Sequence, residues 1–195
     1  MKKMILMALM VVVTVVQMQA QVVNTDAVMG DREATKMRPD TVSPRGEWQK
    51  VVETTLTAKE GFKYGRQVLA RLVPDCQRRM KLQDEEDAKI VCEVPMRLLE
   101  YFKLRGTDVS VNGSYTVTMT FVFKDGRYKV TAEDVKCTYQ LKQSIMLIDQ
   151  ARGEAFYLTN VKSSGAVQRD MQDEAGRLLL LFARALEKQK ADNDF

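Results

Sequence analysis

The sequence offers carboxylates but no histidine for acid–base chemistry. Histidine is absent from all 195 residues, which excludes Ser-His-Asp and Cys-His nucleophiles and any His-ligated zinc or haem. Paired carboxylates remain, in the acidic run Asp84–Asp87 and at Glu133 and Asp134. Such pairs hydrolyse glycosides when they flank a bound sugar about 5 to 9.5 Å apart. The run is more typical of a solvated turn and the pair of a β-bulge, so no catalytic residue is assigned and a carboxylate-dependent hydrolase is kept as an alternative.

The three cysteines, Cys76, Cys92 and Cys137, form no CxxC motif. Redox catalysis and a cysteine metal site are therefore poorly supported, and we predict no cofactor and no metal. In the strand pairing expected for this chain, Cys76 lies about 13 Å from Cys92 at strand rise, too far for a disulfide. A bridge from Cys92 to Cys137 depends on strand order and stays open. The favoured interpretation is buried thiols that pack as small hydrophobes.

Alternating apolar residues predict a β-hairpin in the middle of the chain. Every second residue of Tyr115–Phe123 is apolar, and mostly hydroxyl side chains stand between them. Asp125-Gly126 follows, a pair suited to the positive φ angles of a two-residue turn. This turn pairs Phe123 with Tyr128, and a bulge near Glu133-Asp134 is needed to keep the later apolar residues on the same face.

Two amphipathic helices and further strands complete the predicted domain. Thr57 and Glu60 have the spacing of a capping box, which indicates a helix start. That helix stops at Pro74, and a second apolar stripe predicts a helix at about 167–190. The remaining predictions are a strand at Trp48–Leu56, a second hairpin between Cys76, Met80, Leu82 and Ile90, Cys92, Val94 that Pro95 ends, and two weak strands within 144–161.

These elements predict an α+β fold with two layers, in which two helices pack on one face of an antiparallel sheet. The other face would be open and carry threonines and basic side chains. Hydroxyl and cationic donors suit phosphate, sulfate or carboxylate groups. The predicted ligand-binding residues are Arg79, Lys81, Thr118, Thr120 and Lys129. A merely solvated sheet face is the competing interpretation.

The same segments resemble a known bacterial family. A capped helix with Lys59-Glu60 and Tyr64, an acidic turn before Lys89-Ile90, and above all the run Phe121–Val130 are similar to secreted domains of unknown function with a TATA-binding-protein-like fold. The resemblance covers about 47–139. It implies that fold and an envelope setting, and it supplies no catalytic residue.

The N-terminus predicts export. Lys2 and Lys3 precede an uncharged apolar run, Met4–Val16, which is too short to span a bilayer and is typical of a signal peptide. The predicted organisation is a signal peptide at 1–20, a flexible linker at 21–46, one domain at 47–190 and a tail at 191–195. No transmembrane anchor would remain after cleavage.

Charge argues against nucleic acid as a partner. The net charge is only +4, and two of these charges belong to Lys2 and Lys3 of the predicted signal. So small an excess does not favour a polyanion such as DNA or RNA. We therefore expect a non-enzymatic exported domain, periplasmic or extracellular, that binds an envelope protein or an anionic glycan or lipid head group through the open face. A structural subunit of an envelope assembly is a further alternative.

Overall fold

The computed structural model describes residues 22–43, 46–104, 107–142, 156–157 and 165–193. The predicted signal peptide at 1–20 lies outside these residues, as does most of the segment 144–161 in which weak strands were expected. The helices are α1 (Arg32–Lys36), α2 (Ala58–Leu72), α3 (Cys76–Arg79) and α4 (Gly165–Ala191); the strands are β1 (Trp48–Glu53), β2 (Met80–Asp84), β3 (Lys89–Leu104), β4 (Thr107–Lys124), β5 (Arg127–Lys142) and β6 (Phe156–Tyr157).

One antiparallel sheet organises the described domain. Its strand order is β1-β5-β4-β3-β2, and β6 pairs with β5 beyond the end of β1. The predicted central hairpin is confirmed: Phe123 pairs with Tyr128 across the Asp125-Gly126 turn. The bulge is also where it was predicted, because Thr118 pairs with Glu133 whereas Thr116 pairs with Lys136. Two residues of β5 therefore oppose Val117, and one of them, Asp134, has a φ of 50°.

Two long helices cover the apolar face of the sheet. Phe182 of α4 packs on Phe121 with ring centroids 4.8 Å apart. An added Cβ at Gly61 or Gly65 of α2 would collide with the ring of Phe123, so these two glycines form the groove in which that ring lies. The capping box of Thr57 and Glu60 is present at the start of α2. The predicted two-layer α+β architecture with helices on one face is confirmed.

Pro95 lies beyond the ladder of the second hairpin, which stops at Cys92, but the strand itself does not end there. β3 continues through Pro95 to Leu104 and stays paired with β4. The carbonyl of Pro95 accepts a hydrogen bond from the Val23 N–H at 2.9 Å, so this residue's backbone polar side faces away from β4. β2 has already ended at Met80, opposite Cys92, and the missing N–H therefore costs no bond within the sheet.

The predicted flexible linker at 21–46 is wrong for residues 22–43. This N-terminal segment contains a 3₁₀ turn at Asp26–Val28 and helix α1. Val23, Val28 and Ala34 are buried. Ala34 lies close to Gly176 of α4, and a Cβ added at Gly176 would collide with the carbonyl oxygen of Ala34. The segment is therefore part of the folded domain. Its apolar residues are spaced too widely to predict a helix or strand, but they are buried in the tertiary structure.

Candidate functional site

The sheet face away from α2 and α4 is the candidate site, and we call it the open face. Its side chains alternate along each strand with buried ones: Val91 stands between Ile90 and Cys92, and Thr120 between Met119 and Phe121. Within the described residues, both long helices and the N-terminal segment pack elsewhere. The open face therefore presents its side chains to solvent or to a partner.

Strand register arranges the open face into three rows that cross the strands. The first, which we call the basic row for its two lysines, contains Asp84, Lys89, Val122, Lys129 and Val51, and the middle row contains Leu82, Val91, Thr120, Thr131 and Gln49. The third, the acidic row, contains Glu93, Thr118 and Glu133. Neighbouring rows are two residues apart along each strand, which is about 6.7 Å. Charge is thus graded along β3 and β5, with an uncharged band between two charged rows. On the edge strand β2 the order is reversed, with Asp84 beside Lys89 and Lys81 beside Glu93.

Apolar side chains lie exposed at both edges of this face. Val51 on β1 has 51% of its surface exposed, and Leu82 on β2 has 43%. Val91 and Val122 between them are only half-buried. Exposed apolar groups that are surrounded by charges of both signs are typical of the centre and rim of a protein interface.

The lysines of the open face differ in their partners. Lys81 Nζ lies 3.3 Å from Glu93 Oε1, an exposed ion pair of the kind that contributes little stability. Within the described part of the chain, Lys89 and Lys129 have no ion-pair partner, and neither does Glu133. Among the described residues of the open face, Lys89 and Lys129 are thus the cations most available to a ligand.

The five predicted site residues are only partly brought together. Thr118 and Thr120 are neighbours on the open side of β4, and Lys129 lies on the adjacent strand in the basic row. Lys81 reaches the acidic row instead, through Glu93. Arg79 is misplaced by the sequence prediction, because the chain forms the short helix α3 before β2 begins, and its Nε donates to the Pro74 carbonyl at 3.1 Å.

The candidate catalytic carboxylates do not form an acid pair in a cleft. Asp84 Oδ1 accepts the backbone N–H groups of Glu86 and Asp87 at 3.1 Å each, so it stabilises its own turn. At the bulge, Asp134 Oδ2 lies 3.2 Å from Lys136 Nζ and both side chains are about half exposed. The two best-formed cavities of the described structure are lined by neither group.

Sequence reasoning missed a buried polar cluster beneath the N-terminal segment. Glu174 of α4 is only 2% exposed. Its carboxylate accepts from the hydroxyl of Thr25 at 3.0 Å and from Arg177, whose terminal nitrogen lies 2.7 Å away. One sign was present in the sequence, since Glu174 falls between Met171 and Leu178 on the apolar stripe of the last helix. A buried carboxylate needs such partners, and these tie the segment to α4.

Ion pairs extend this attachment along the segment. Asp26 pairs with Arg97 of β3 at 2.8 Å, and Arg38 pairs with Asp173 of α4 at 2.6 Å. Arg184 of α4 contacts both Asp31 and Glu33 at 2.8 Å. The backbone N–H of Glu33 and the Arg184 guanidinium together lower the pKa of the Asp31 carboxyl. These contacts are structural and hold the segment from 25 to 38 on the domain.

The environments of Cys76 and Cys92 do not favour redox chemistry. Cys76 and Cys92 are free and buried, and burial, together with nearby Cys76, raises the pKa of the Cys92 thiol to about 12. Strand order now answers the question of a Cys92 to Cys137 bridge. The two residues lie on β3 and β5 with β4 between them, which separates their backbones by more than about 9 Å, beyond disulfide reach.

The described residues contain neither a cluster of metal ligands nor a helix suited to span a membrane. Nowhere among them do three or more Cys, Asp or Glu side chains gather as a metal ion would require. None of the described helices has the length and apolar character needed to cross a bilayer.

Comparison with known proteins supports the fold. The chain is similar to a DUF4468 family protein from Bacteroides ovatus ATCC 8483, with a TM-score of 0.50 and 12% identity over 80% of this chain and 93% of that chain. A TBP-like protein from Parabacteroides distasonis ATCC 8503 aligns with a TM-score of 0.46 and 13% identity, over 76% of this chain and 94% of that chain. No family model and no curated protein matches the sequence. At this identity the likeness to the DUF4468 protein shows a shared fold, and at that level it confirms the resemblance to domains of unknown function.

Proposed function

We propose that this chain is an exported, non-enzymatic domain that binds a partner protein through its open face. The observation that carries the proposal is the open face itself. No described helix or segment covers it, and Val51 and Leu82 are therefore exposed. Export is supported by the signal-peptide pattern of residues 1–20. Catalysis is less well supported, because Asp84 of the turn and Asp134 of the bulge serve local contacts.

The charge pattern favours a protein over a glycan or a lipid head group. An anionic surface would be met best by a field of one sign. The open face instead pairs its basic row with an acidic row that contains Glu93 and Glu133. Its uncharged middle row adds Leu82 and Val91, which suit apolar contact. Both signs around an apolar band match the anatomy of a protein interface.

Photo-crosslinking from the open face tests this proposal. Thr120 lies at the centre of the face, so Thr120→p-benzoylphenylalanine places the reactive group against any bound protein in the native cell envelope. Arg66 is exposed on α2, in the other layer, and provides the matched control position. We expect one defined polypeptide adduct from position 120 and none from position 66. No adduct from position 120, together with binding to vesicles of anionic lipid, would replace the protein partner by a lipid.

Charge reversal then measures the contribution of individual residues. Lys129→Glu and Lys81→Glu should each weaken binding of the crosslinked polypeptide about tenfold, whereas Arg66→Glu should leave it unchanged. All three side chains are exposed, so thermal stability should stay within about 0.5 kcal/mol of the parent. Unchanged affinity for both open-face variants would contradict the proposed surface.

A further inference from the structure

On β3 and β5 of the open face, acidic and basic side chains lie on opposite sides of the middle row. Along β3 the sequence of open-face residues is Glu93, Val91, Lys89, and along β5 it is Glu133, Thr131, Lys129. In both strands the acid and the base stand two residues on either side of an uncharged residue. The strand between them, β4, carries only uncharged side chains in these rows: Thr118, Thr120 and Val122.

This order is complementary to itself. A two-fold axis that runs across the strands, along the middle row and between two facing sheets, places each strand against the same strand of the other copy in reverse. Thr120 then faces Thr120 of the second copy. Lys89 faces Glu93, and Lys129 faces Glu133, and the symmetry repeats both approaches. Two copies would thus form four contacts between opposite charges around an uncharged centre.

The geometry of packed sheets permits these approaches. Facing sheets lie about 10 Å apart, a gap that a lysine and a glutamate side chain can bridge together. Aligned sheets rotate by about 30° relative to each other. The charged residues lie one strand, about 4.8 Å, and two residues, about 6.7 Å, from Thr120, and therefore about 8 Å from the centre, so that rotation shifts the facing residues by about 4 Å. Flexible lysine side chains accommodate such a shift.

We infer that the partner of the open face is a second copy of this chain, bound face to face with two-fold symmetry. The inference rests on the proposed function and names its partner. Five strands and five residues per strand give a patch of about 24 by 17 Å. This is at the low end for a specific interface, so we expect a dimer with a dissociation constant in the micromolar range.

Sedimentation equilibrium of the chain from Gln21 onward, which keeps every described residue, tests the inference. From about 1 to 500 µM the parent chain should pass from monomer to dimer. Lys129→Glu should weaken the dimer at least tenfold, because it places a carboxylate against Glu133, and Glu133→Lys should do the same by placing two ammonium groups together. Arg66→Glu, on α2, is the control of equal charge change and should dimerise as the parent does.

The double exchange Lys129→Glu with Glu133→Lys gives the sharpest result. Each charge meets its opposite again, so dimerisation should return to within about threefold of the parent. A parent that stays monomeric to 500 µM, a dimer that Lys129→Glu leaves intact, or a double variant no better than the single ones would each overturn the inference. If the chain is monomeric while position 120 crosslinks to a different polypeptide, the proposed function stands and only the second copy is wrong. Absence of both results contradicts the two proposals together.

Discussion

Replacement of Gly176 by alanine should destabilise the domain, although alanine is the better helix former. In an exposed helix interior, Gly→Ala raises stability by about 0.5 to 1 kcal/mol. At Gly176 the new Cβ would collide with the carbonyl oxygen of Ala34 and lie 3.0 Å from the Arg38 side chain. The first of these clashes is with backbone, so the N-terminal segment has to move away from α4.

The interactions that this movement breaks determine the size of the effect. Exposing Val28 costs about 2 kcal/mol, and breaking the Thr25 hydrogen bond to the buried carboxylate of Glu174 costs about 1.5 to 3 kcal/mol. The helix propensity of alanine returns about 1 kcal/mol. Because the segment also regains conformational freedom, we expect Gly176→Ala to lower the free energy of unfolding by about 2 kcal/mol.

Urea denaturation of the parent, Gly176→Ala, Val28→Asp and the double variant measures this effect. Val28→Asp displaces the segment on its own, because Val28 is buried against Ala34 and Leu180. In that background Gly176→Ala should cost little or even stabilise, since the carbonyl of Ala34 has already moved. A Gly176→Ala variant that is more stable than the parent in both backgrounds would show that the segment is the flexible linker predicted from sequence.

Three shorter predictions concern other parts of the fold. Asp125→Ala should destabilise by about 1 to 2 kcal/mol in urea, because Asp125 Oδ1 accepts the Ala58 N–H at 2.8 Å at the start of α2. The backbone N–H of Thr57 lowers the pKa of Glu60, so the charged carboxylate stabilises the folded state above the unfolded pKa. This stability is lost as the pH falls through the folded pKa, and Glu60→Gln should flatten the acid limb of the curve of stability against pH. The native Cys92 thiol, with a pKa of about 12, should react with a thiol reagent at pH 8 only after denaturation.

Local patterns predicted the parts of the fold that local interactions determine. The alternation of Tyr115–Phe123 and the Asp125-Gly126 turn were sufficient for the register of the hairpin, including the bulge at Asp134. A turn of two residues leaves one pairing that buries the whole apolar face, and a slip by one residue would expose it. The capping box at Thr57 is also a local interaction, because it joins two residues only three positions apart.

Contacts between distant residues account for what the sequence did not reveal. Thr25 and Glu174 are 149 positions apart, and polar composition alone made the segment around Thr25 look flexible. Pro95 was expected to end the ladder of the second hairpin; that β3 continues past it depends on pairing with β4 on the other side, which sheet order decides. Strand alternation was assumed to extend back to Arg79, which placed this residue on the open face. Asp75, with a φ of 52°, instead starts a helical turn that contains Arg79.

The open face itself was predicted, but its order of charge was not. Thr118, Thr120 and Lys129 follow from the alternation of one hairpin. That Lys89 stands level with Lys129, and Glu93 level with Glu133, requires β3 to pair with β4 on the side opposite β5, which the sequence did not specify. The rows exist only in the folded sheet, and the self-complementarity on which we base a second copy as partner depends on them.

The docked N-terminal segment also restricts where the N-terminus can lie after the proposed signal cleavage. With the proposed cleavage after Ala20, the chain begins two residues before Val23, whose N–H binds the Pro95 carbonyl at the sheet edge. Two extended residues reach only about 7 Å, whereas a flexible linker of 21–46 would average about 28 Å between its ends. The N-terminus left by that cleavage would therefore stay close to the edge of β3, and the segment has little slack with which to search for a partner. In the described part of the chain, this attachment leaves accessible the open face, where we propose that a partner binds.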